Sequence, residues 1–386
     1  MNILIACDSF KDALDAPSAC RAIERGLQLA DPFPKESGFP SETVKTRIFP
    51  LADGGEGFSD ILNFHLGLKT VDIEVHDPLF RKIKATYNIS VDGTTAFIEM
   101  AQAAGLQLLT HEERNPLKTT TFGVGEMIND ALKNGVKRIV LGIGGSATND
   151  AGVGMAAAMG WQFFDEKGEK LSGVGGDLNK IQKITPPSRK NRDFVPQQYN
   201  TIQDVVFEVM CDVKNPLLGK TGAAHVYSRQ KGASDADIDT LEAGATNFWK
   251  VTNFPKVETE GAGAAGGLGF GALFFLNATI KSGIHAMMDL TDFDKEIDWA
   301  DVIFTGEGRL DSQTAHGKLI AGIVSRSQQK PVIALCGAVD APPQYLKDLG
   351  LKAAFSIAQK PCTLPEALAA TAENLEKTAF HVGRLL

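Results

Sequence analysis

Arg138-Ile-Val-Leu-Gly-Ile-Gly-Gly-Ser-Ala-Thr-Asn-Asp-Ala-Gly-Val-Gly-Met-Ala-Ala-Ala-Met-Gly160 is the stretch on which the fold turns. The short β-branched apolar run Ile139 to Ile143 reads as a buried strand, and it empties into glycines and small hydroxyls before an alanine-rich helical stretch begins near Ala151. This is a strand–loop–helix unit. Gly144 and Gly145 leave backbone N–H groups bare, Ser146 and Thr148 add hydroxyls, and the following helix is expected to turn its positive end to the same spot. Such a loop suits a phosphate or a carboxylate. One glycine-rich loop alone would be explained as well by a tight turn and close packing, so the remainder of the chain has to decide.

Working outward, 386 residues with 43% hydrophobic side chains exceed what one core usually serves, so two domains are expected. A net charge of −8 argues against a nucleic-acid partner, and no basic run interleaved with aromatics occurs. Glycine, at 39 residues, is enriched and clusters after apolar runs, which suits ligand-facing turns. The five cysteines are odd in number and never spaced as a metal knuckle or redox pair, so a reducing, cytoplasmic setting is expected. No window approaches the roughly 18 to 20 apolar residues of a membrane span, so no membrane partner is expected. Nothing in the sequence specifies an oligomeric state.

Asn2 to Cys7 reads as a buried strand ending in Asp8-Ser9-Phe10-Lys11, followed by a helix with Pro17 in its first turn. The strand Val44 to Leu51 stops in Ala52-Asp53-Gly54-Gly55-Glu56-Gly57 before a helix from Phe58 to Leu66. Between Lys82 and Met100 the texture turns antiparallel, because two alternating runs flank the hairpin signal Asp92-Gly93. That change predicts a second domain, made of 81–114 and 161–274, inserted in a discontinuous wound domain of 1–80, 115–160 and 275–386. A helix ending at Gly135 leads into the opening strand. Strands are expected at Trp161–Asp165 and Val205–Val213, the second ending in Cys211-Asp212-Val213-Lys214-Asn215-Pro216. A helix from about Asp235 to Trp249, the glycine-rich Gly261 to Gly271, and a clean α/β alternation complete the chain.

Two motif mimics compete with a substrate-binding reading. Gly142-x-Gly144-x-x-Ala147, with Asp165 some twenty residues on, imitates a dinucleotide fingerprint. The polar run Ser146, Thr148, Asn149 and Asp150 stands where that fold starts its helix on small apolar residues, so this reading is second choice. It would make the protein an NAD-dependent dehydrogenase of a small hydroxy acid, with only His316 near Arg309 as a catalytic pair. Gly219-Lys220-Thr221 ends like a P-loop but lacks the first glycine, Lys214 standing there. More telling are the acidic residues at strand ends: Asp8, Asp53 with Glu56, Asp150, Glu307 with Asp311, and Glu99 and Asp212. Carboxyl ends of parallel strands form a ligand crevice. Carboxylates gathered there repel one another unless a divalent cation and basic groups such as Lys11, Arg309 and Lys318 offset them. Some would serve only as helix caps and turn residues.

Taken in order, Asp8-Ser9-Phe10-Lys11, Ala52 to Gly57, Glu113-Arg114-Asn115-Pro116, Gly144 to Asp150, Cys211 to Leu217, Gly261 to Gly271 and Thr305 to Thr314 resemble the bacterial type I glycerate kinase family from end to end. The departures are a longer loop at Asp31 to Thr43, an extended connector at Thr185 to Gln203, and Cys7 where many relatives carry proline. The resemblance implies ATP-dependent, Mg-assisted phosphorylation of glycerate by a flavodoxin-like domain and a restriction-enzyme-like domain enclosing a cleft, with the 2-phosphate the usual product. Phosphoryl transfer needs a metal bridging phosphates, cations, a base near the attacking hydroxyl and closure against water.

On this basis Asp8, Ser9, Arg114, Asn115 and Arg309 are expected to bind glycerate, Arg114 and Arg309 being the candidates for its carboxylate. Gly144, Gly145, Ser146, Thr148, Asn149, Gly266 and Gly267 are expected to hold phosphates, and Asp53, Glu56 and Glu307 the metal. Lys11 would meet the transferring phosphoryl group. Asp212 is the expected base, with Asp311 the alternative or a metal partner beside Glu307.

Overall fold

A computed structural model describes residues 1–30, 44–52, 57–187, 204–311 and 319–386. In chain order its strands are β1 (Asn2–Cys7), β2 (Lys45–Ile48), β3 (Lys69–His76), β4 (Lys82–Ile89), β5 (Thr95–Glu99), β6 (Arg138–Gly142), β7 (Gln162–Phe164), β8 (Lys183–Thr185), β9 (Val206–Met210), β10 (Thr279–Lys281), β11 (Val302–Gly306), β12 (Arg309–Asp311), β13 (Val332–Cys336), β14 (Ala338–Asp340) and β15 (Ala353–Ser356). The chain divides into two units, Met1–Asp53 with Ile284–Leu386, and Gly54–Gly283.

The first unit is built on a parallel sheet of order β15-β13-β11-β1-β2. β1, β11 and β13 read as nearly unbroken apolar runs because interior strands of a parallel sheet are covered on both faces. Ile3, Ile5, Phe304 and Leu335 are accordingly buried, and Ile3 and Val332 lie in one sheet. Pro17 sits in the first turn of the helix Ala16–Leu29, whose N-terminus Asp15 caps by accepting from Ser18 N at 2.7 Å. This helix packs on Thr371–Gly383 so closely that a Cβ at Gly26 would stand 2.2 Å from the Glu376 carbonyl oxygen. The chain closes on two helices, Leu364–Ala369 and Thr371–Gly383.

The second unit carries a mixed sheet of order β10-β9-β6-β5-β4-β3. β10, β9, β6 and β5 run parallel, while β4 is antiparallel to both β5 and β3. The Asp92-Gly93 turn forms as read, with Gly93 at φ 72° and the Asp92 carboxylate accepting from Ser90 Oγ and Thr94 N.

The division corrects the expected boundaries. Residues 54–283 are one continuous unit, so 57–80 and 115–160 pack with the segments expected to form a separate domain. The opening strand β6 lies in the middle of the mixed sheet, between β5 and β9. The hairpin signal reports only one edge of β5. Its other edge takes β6 in parallel over five residue pairs, reached through the crossover helix Phe122–Lys133.

Candidate active site

The chain leaves β6 through Ile143 and forms a loop that is half-buried at Gly144, exposed at Gly145 and buried from Ser146 to Asp150. Gly145 is left-handed (φ 71°), and its carbonyl accepts from Leu106 N at 2.8 Å. Three consecutive threonines are fully buried, and the outer two hold the loop from behind. Thr119 Oγ1 donates to the Ala147 carbonyl (3.0 Å), Thr120 Oγ1 to the Gly173 carbonyl (2.9 Å), and Thr121 Oγ1 to Asp150 Oδ2 (2.8 Å). The helix that follows, Val153–Ala158, has only six residues and starts later than the composition suggests. Ala151 and Gly152 precede it in left-handed conformation, so its dipole adds little at the loop.

This geometry also disposes of the dinucleotide mimic. A Cβ at Gly142 would stand 2.4 Å from the Phe58 ring, so that glycine makes room for an aromatic side chain. Ala147 lies inside the loop, six residues before the helix, where the fingerprint would already be helical.

Asp150 is a structural clamp. Its Oδ2 accepts from Thr121 N (2.7 Å), Thr121 Oγ1 (2.8 Å) and Gly154 N (3.2 Å), and its Oδ1 from Gly152 N (3.1 Å). Burial pushes its pKa up although these donors pull it down. Glu99 is likewise turned to structure, accepting from Ser59 N at 2.7 Å in the first turn of Phe58–Leu66.

Sequence reasoning missed Lys231, which no periodicity or motif marks. It is 1% exposed and donates from Nζ to Ser146 Oγ (2.7 Å) and to the Thr148 carbonyl (2.6 Å). Ser146, accepting from the lysine, keeps its own O–H to donate. From the same turn Ser228 accepts from Asn149 Nδ2 at 2.6 Å, so this expected phosphate-binding side chain is held internally. Thr148 Oγ1 is buried with no hydrogen-bond partner among the described residues.

Gly266 and Gly267 lie in a left-handed kink, Ala265 to Gly267, within Ala264–Phe275. A Cβ at Gly266 would meet the Thr148 carbonyl oxygen at 2.1 Å and Asn149 Cα at 2.5 Å, and the Gly266 carbonyl accepts from Ala151 N (3.0 Å). Both glycines therefore buttress the loop through close backbone packing. The Arg114-Asn115-Pro116 segment reaches the same place: a Cβ at Gly175 would stand 2.2 Å from the Pro116 carbonyl and 2.7 Å from that of Asn149. Asn115 Oδ1 accepts from Leu117 N (3.0 Å). Arg114 Nε is buried with no hydrogen-bond partner among the described residues.

At the end of β9, Asp212 accepts through Oδ1 from Ser282 Oγ (2.7 Å) and Gly283 N (2.8 Å), just before the chain returns to the first unit. β9 ends at Met210, short of the expected Val213, so Asp212 lies beyond the strand.

In the first unit, the loops after β1 and β11 meet. Asp8 N donates to the Gly306 carbonyl (2.9 Å), and Gly308 lies so near that a Cβ there would be 3.7 Å from Lys11 N. Asp8 Oδ1 accepts from Ser9 N (2.6 Å), and Lys11 is exposed. Glu307 is 9% exposed; burial pushes the Cys336 thiol up to about 12, against a backbone hydrogen bond from Glu307 that pulls it down. Arg309 pairs with Asp340 (2.6 Å) and Asp311 (3.6 Å). Asp53, Glu56, His316 and Lys318 lie outside the described residues. Among the described residues no three histidines, cysteines or carboxylates gather as a metal cluster, and no helix is long and apolar enough to cross a membrane.

Comparison with known proteins agrees over the whole length. The model of the glycerate kinase family matches residues 3–386. A glycerate kinase of Bacillus cereus is 41% identical, over 99% of this chain and 97% of its own. Glycerate 2-kinase of Escherichia coli K12 is 37% identical, over 100% and 98%. A crystal structure from Salmonella typhimurium LT2, proposed to be glycerate kinase 2, superposes with a TM-score of 0.81 at 36% identity, covering 100% of this chain and 98% of that one. With its mixed α/β architecture, its parallel sheets and these relatives along its full length, the chain belongs to the glycerate kinase family, enzymes that phosphorylate glycerate.

Proposed function

We propose that the protein transfers the γ-phosphoryl group of ATP to D-glycerate in a Mg²⁺-dependent reaction and that the product is 2-phosphoglycerate. The observation that carries this reading is the loop after β6, which presents the half-buried Gly144 and the exposed Gly145 near a buried cation and a Thr148 hydroxyl with no hydrogen-bond partner among the described residues. Main-chain N–H groups with a cation behind them are the groups that phosphate oxygens need. The 2-position is carried over from the Escherichia coli relative, a glycerate 2-kinase.

Arg114, whose buried Nε has no hydrogen-bond partner among the described residues, anchors the glycerate carboxylate through its planar fork. Arg309 is the weaker choice because Asp340 and Asp311 already engage it. Asp8, Ser9 and Asn115 orient the substrate. Lys11 answers the charge that develops on the phosphoryl oxygens, and Asp212 takes the proton of the attacking hydroxyl through its carboxylate. Glu307, Asp53 and Glu56, with Asp311 as a further candidate, are proposed to hold Mg²⁺, which when bound would offset the negative charge of the phosphates.

Incubating the purified protein with D-glycerate, ATP and Mg²⁺ and reading the mixture by ³¹P NMR tests this. ADP and a phosphorus resonance coupled to the C2 proton are expected. No ADP above the glycerate-free control, with Mg²⁺ or Mn²⁺, refutes the activity, and coupling to the C3 protons refutes the regiochemistry.

A further inference from the structure

We propose that Lys231 is the buried cation of an oxyanion site formed by the Gly144–Asn149 loop, a positioning residue that holds Ser146 and Thr148 and places positive charge behind a phosphate of ATP or the carboxylate of glycerate. The inference rests on the functional reading above and adds to it a residue, its charge and its proton.

The backbone forces this lysine inside. Lys231 ends a short turn, Arg229–Lys231, and Gly232 follows in left-handed conformation (φ 91°). A Cβ at Gly232 would stand 2.1 Å from the Arg114 carbonyl oxygen, so the turn packs backbone-on against the Arg114 segment. The ammonium then has two neutral acceptors, Ser146 Oγ and the Thr148 carbonyl, and no ion pair among the described residues. Burying a cation with no ion-pair partner is costly, and an arriving anion would offset that cost.

Two further groups at the same place are incomplete in the same sense. Thr148 Oγ1 and Arg114 Nε are buried without partners among the described residues. Thr148 offers its carbonyl to Lys231, and Arg114 packs its backbone on Gly232. A cation, a hydroxyl and a guanidinium edge, all short of partners, make one site for an oxyanion.

The charge has a consequence for binding. Burial lowers the Lys231 pKa to about 7, Asp150 acting in the opposite direction. The charged groups around it are Asp150 behind the same loop, Arg114 across Gly232, and the exposed Arg229–Asp235 pair beside its turn. A bound oxyanion stabilises the charged form and so raises that pKa. Below the free pKa the lysine is charged with or without ligand, and affinity does not change with pH. Above about pH 7 binding must take up a proton, and affinity falls by up to about tenfold per pH unit until the pKa of the complex is passed.

The test is calorimetric titration of the intact protein with Mg-ATP and, separately, with D-glycerate between about pH 6 and pH 9. In the wild type, the ligand whose oxyanion sits on the loop should bind with net proton uptake at about pH 8, read from buffers of different ionisation enthalpy. Lys231→Met should weaken that ligand by about tenfold or more near pH 6.5 and abolish the proton uptake, leaving the other ligand unchanged. Which of the two responds identifies the oxyanion. If Lys231→Met folds and binds both ligands with wild-type affinity and pH profile, the inference is overturned while the kinase reading stands. Should the variant not fold, wild-type binding of both ligands without proton uptake overturns it as well. Failure of the wild type to bind either ligand sinks the kinase reading and this inference together.

Discussion

Replacing Asp150 separates a structural clamp from a metal ligand. Its four hydrogen bonds are unevenly divided, three to Oδ2 and one to Oδ1. In Asp150→Asn the single amide oxygen can serve the three donors at the Oδ2 position, which sets the new NH₂ against Gly152 N, 3.1 Å from the former Oδ1. One lost bond and one buried donor without an acceptor cost about 1 to 3 kcal/mol. Asp150→Ala strips the acceptor from the N–H groups of Thr121, Gly152 and Gly154, and at about 1 kcal/mol or more each, less the relief of no longer burying a carboxyl, the loss is about 3 to 5 kcal/mol. With a urea dependence of about 2 to 3 kcal/mol per molar, the Ala variant should unfold about 1 to 2 M earlier than wild type and the Asn variant by at most about 1 M.

The assay is urea unfolding by tryptophan fluorescence in a Trp299→Phe background. The remaining Trp161 and Trp249 belong to the 54–283 unit, so that unit is read without the other. Because burial raises the carboxyl pKa in the fold above its unfolded value, the neutral form is the one favoured by folding. Its contribution is fully present below the unfolded pKa and is lost as pH rises through the folded one, so wild type should gain on Asp150→Asn as pH falls through that window. A metal-ligand role predicts the reverse pattern: removing one of several clustered carboxylates would leave stability unchanged or improved without Mg²⁺ and weaken only the metal response. Unshifted urea midpoints for both variants would refute the clamp.

Three shorter predictions follow from the same geometry. Arg114→Lys should raise the KM for glycerate by about ten- to a hundredfold, since one of two charge-assisted bonds is lost, whereas Arg309→Lys should stay within about twofold; steady-state kinetics with equal effects at both positions would remove Arg114 as the anchor. Asp212→Asn can keep the Oδ1 contacts with Ser282 and Gly283, so it should leave thermal stability intact and lower kcat by about a hundredfold or more; a near wild-type kcat beside an inactive Asp311→Asn would move the base to Asp311. Gly266→Ala adds a clash at 2.1 Å to a left-handed φ of 65°, whereas Gly67→Ala meets nothing within 4 Å at φ 58°. The second should cost about 1 kcal/mol and the first clearly more, with a raised KM for ATP; equal midpoints in urea would contradict the buttress.

What the sequence determined by itself is what local physics encodes. The helix Phe58–Leu66 is found where the apolar spacing places it, β1 where the unbroken apolar run begins, and the hairpin at Asp92-Gly93, since helical spacing, alternation and left-handed turn residues are set by neighbours a few positions apart. The ordered motifs likewise carried the family. Which edge of β5 would take β6, and therefore where one unit stops, depended on a parallel pairing that no local pattern announces. The roles within the site were decided the same way. Asp150 and Asp212 look alike as carboxylates past strand ends, and only the donors around them show that one is enclosed by four hydrogen bonds and the other ties a distant turn. Lys231 stands 85 residues from the serine it holds and carries no motif. Its burial, and with it the charge behind the loop, arises from chain segments that become neighbours only when Gly232 packs against Arg114 and Gly266 against Thr148.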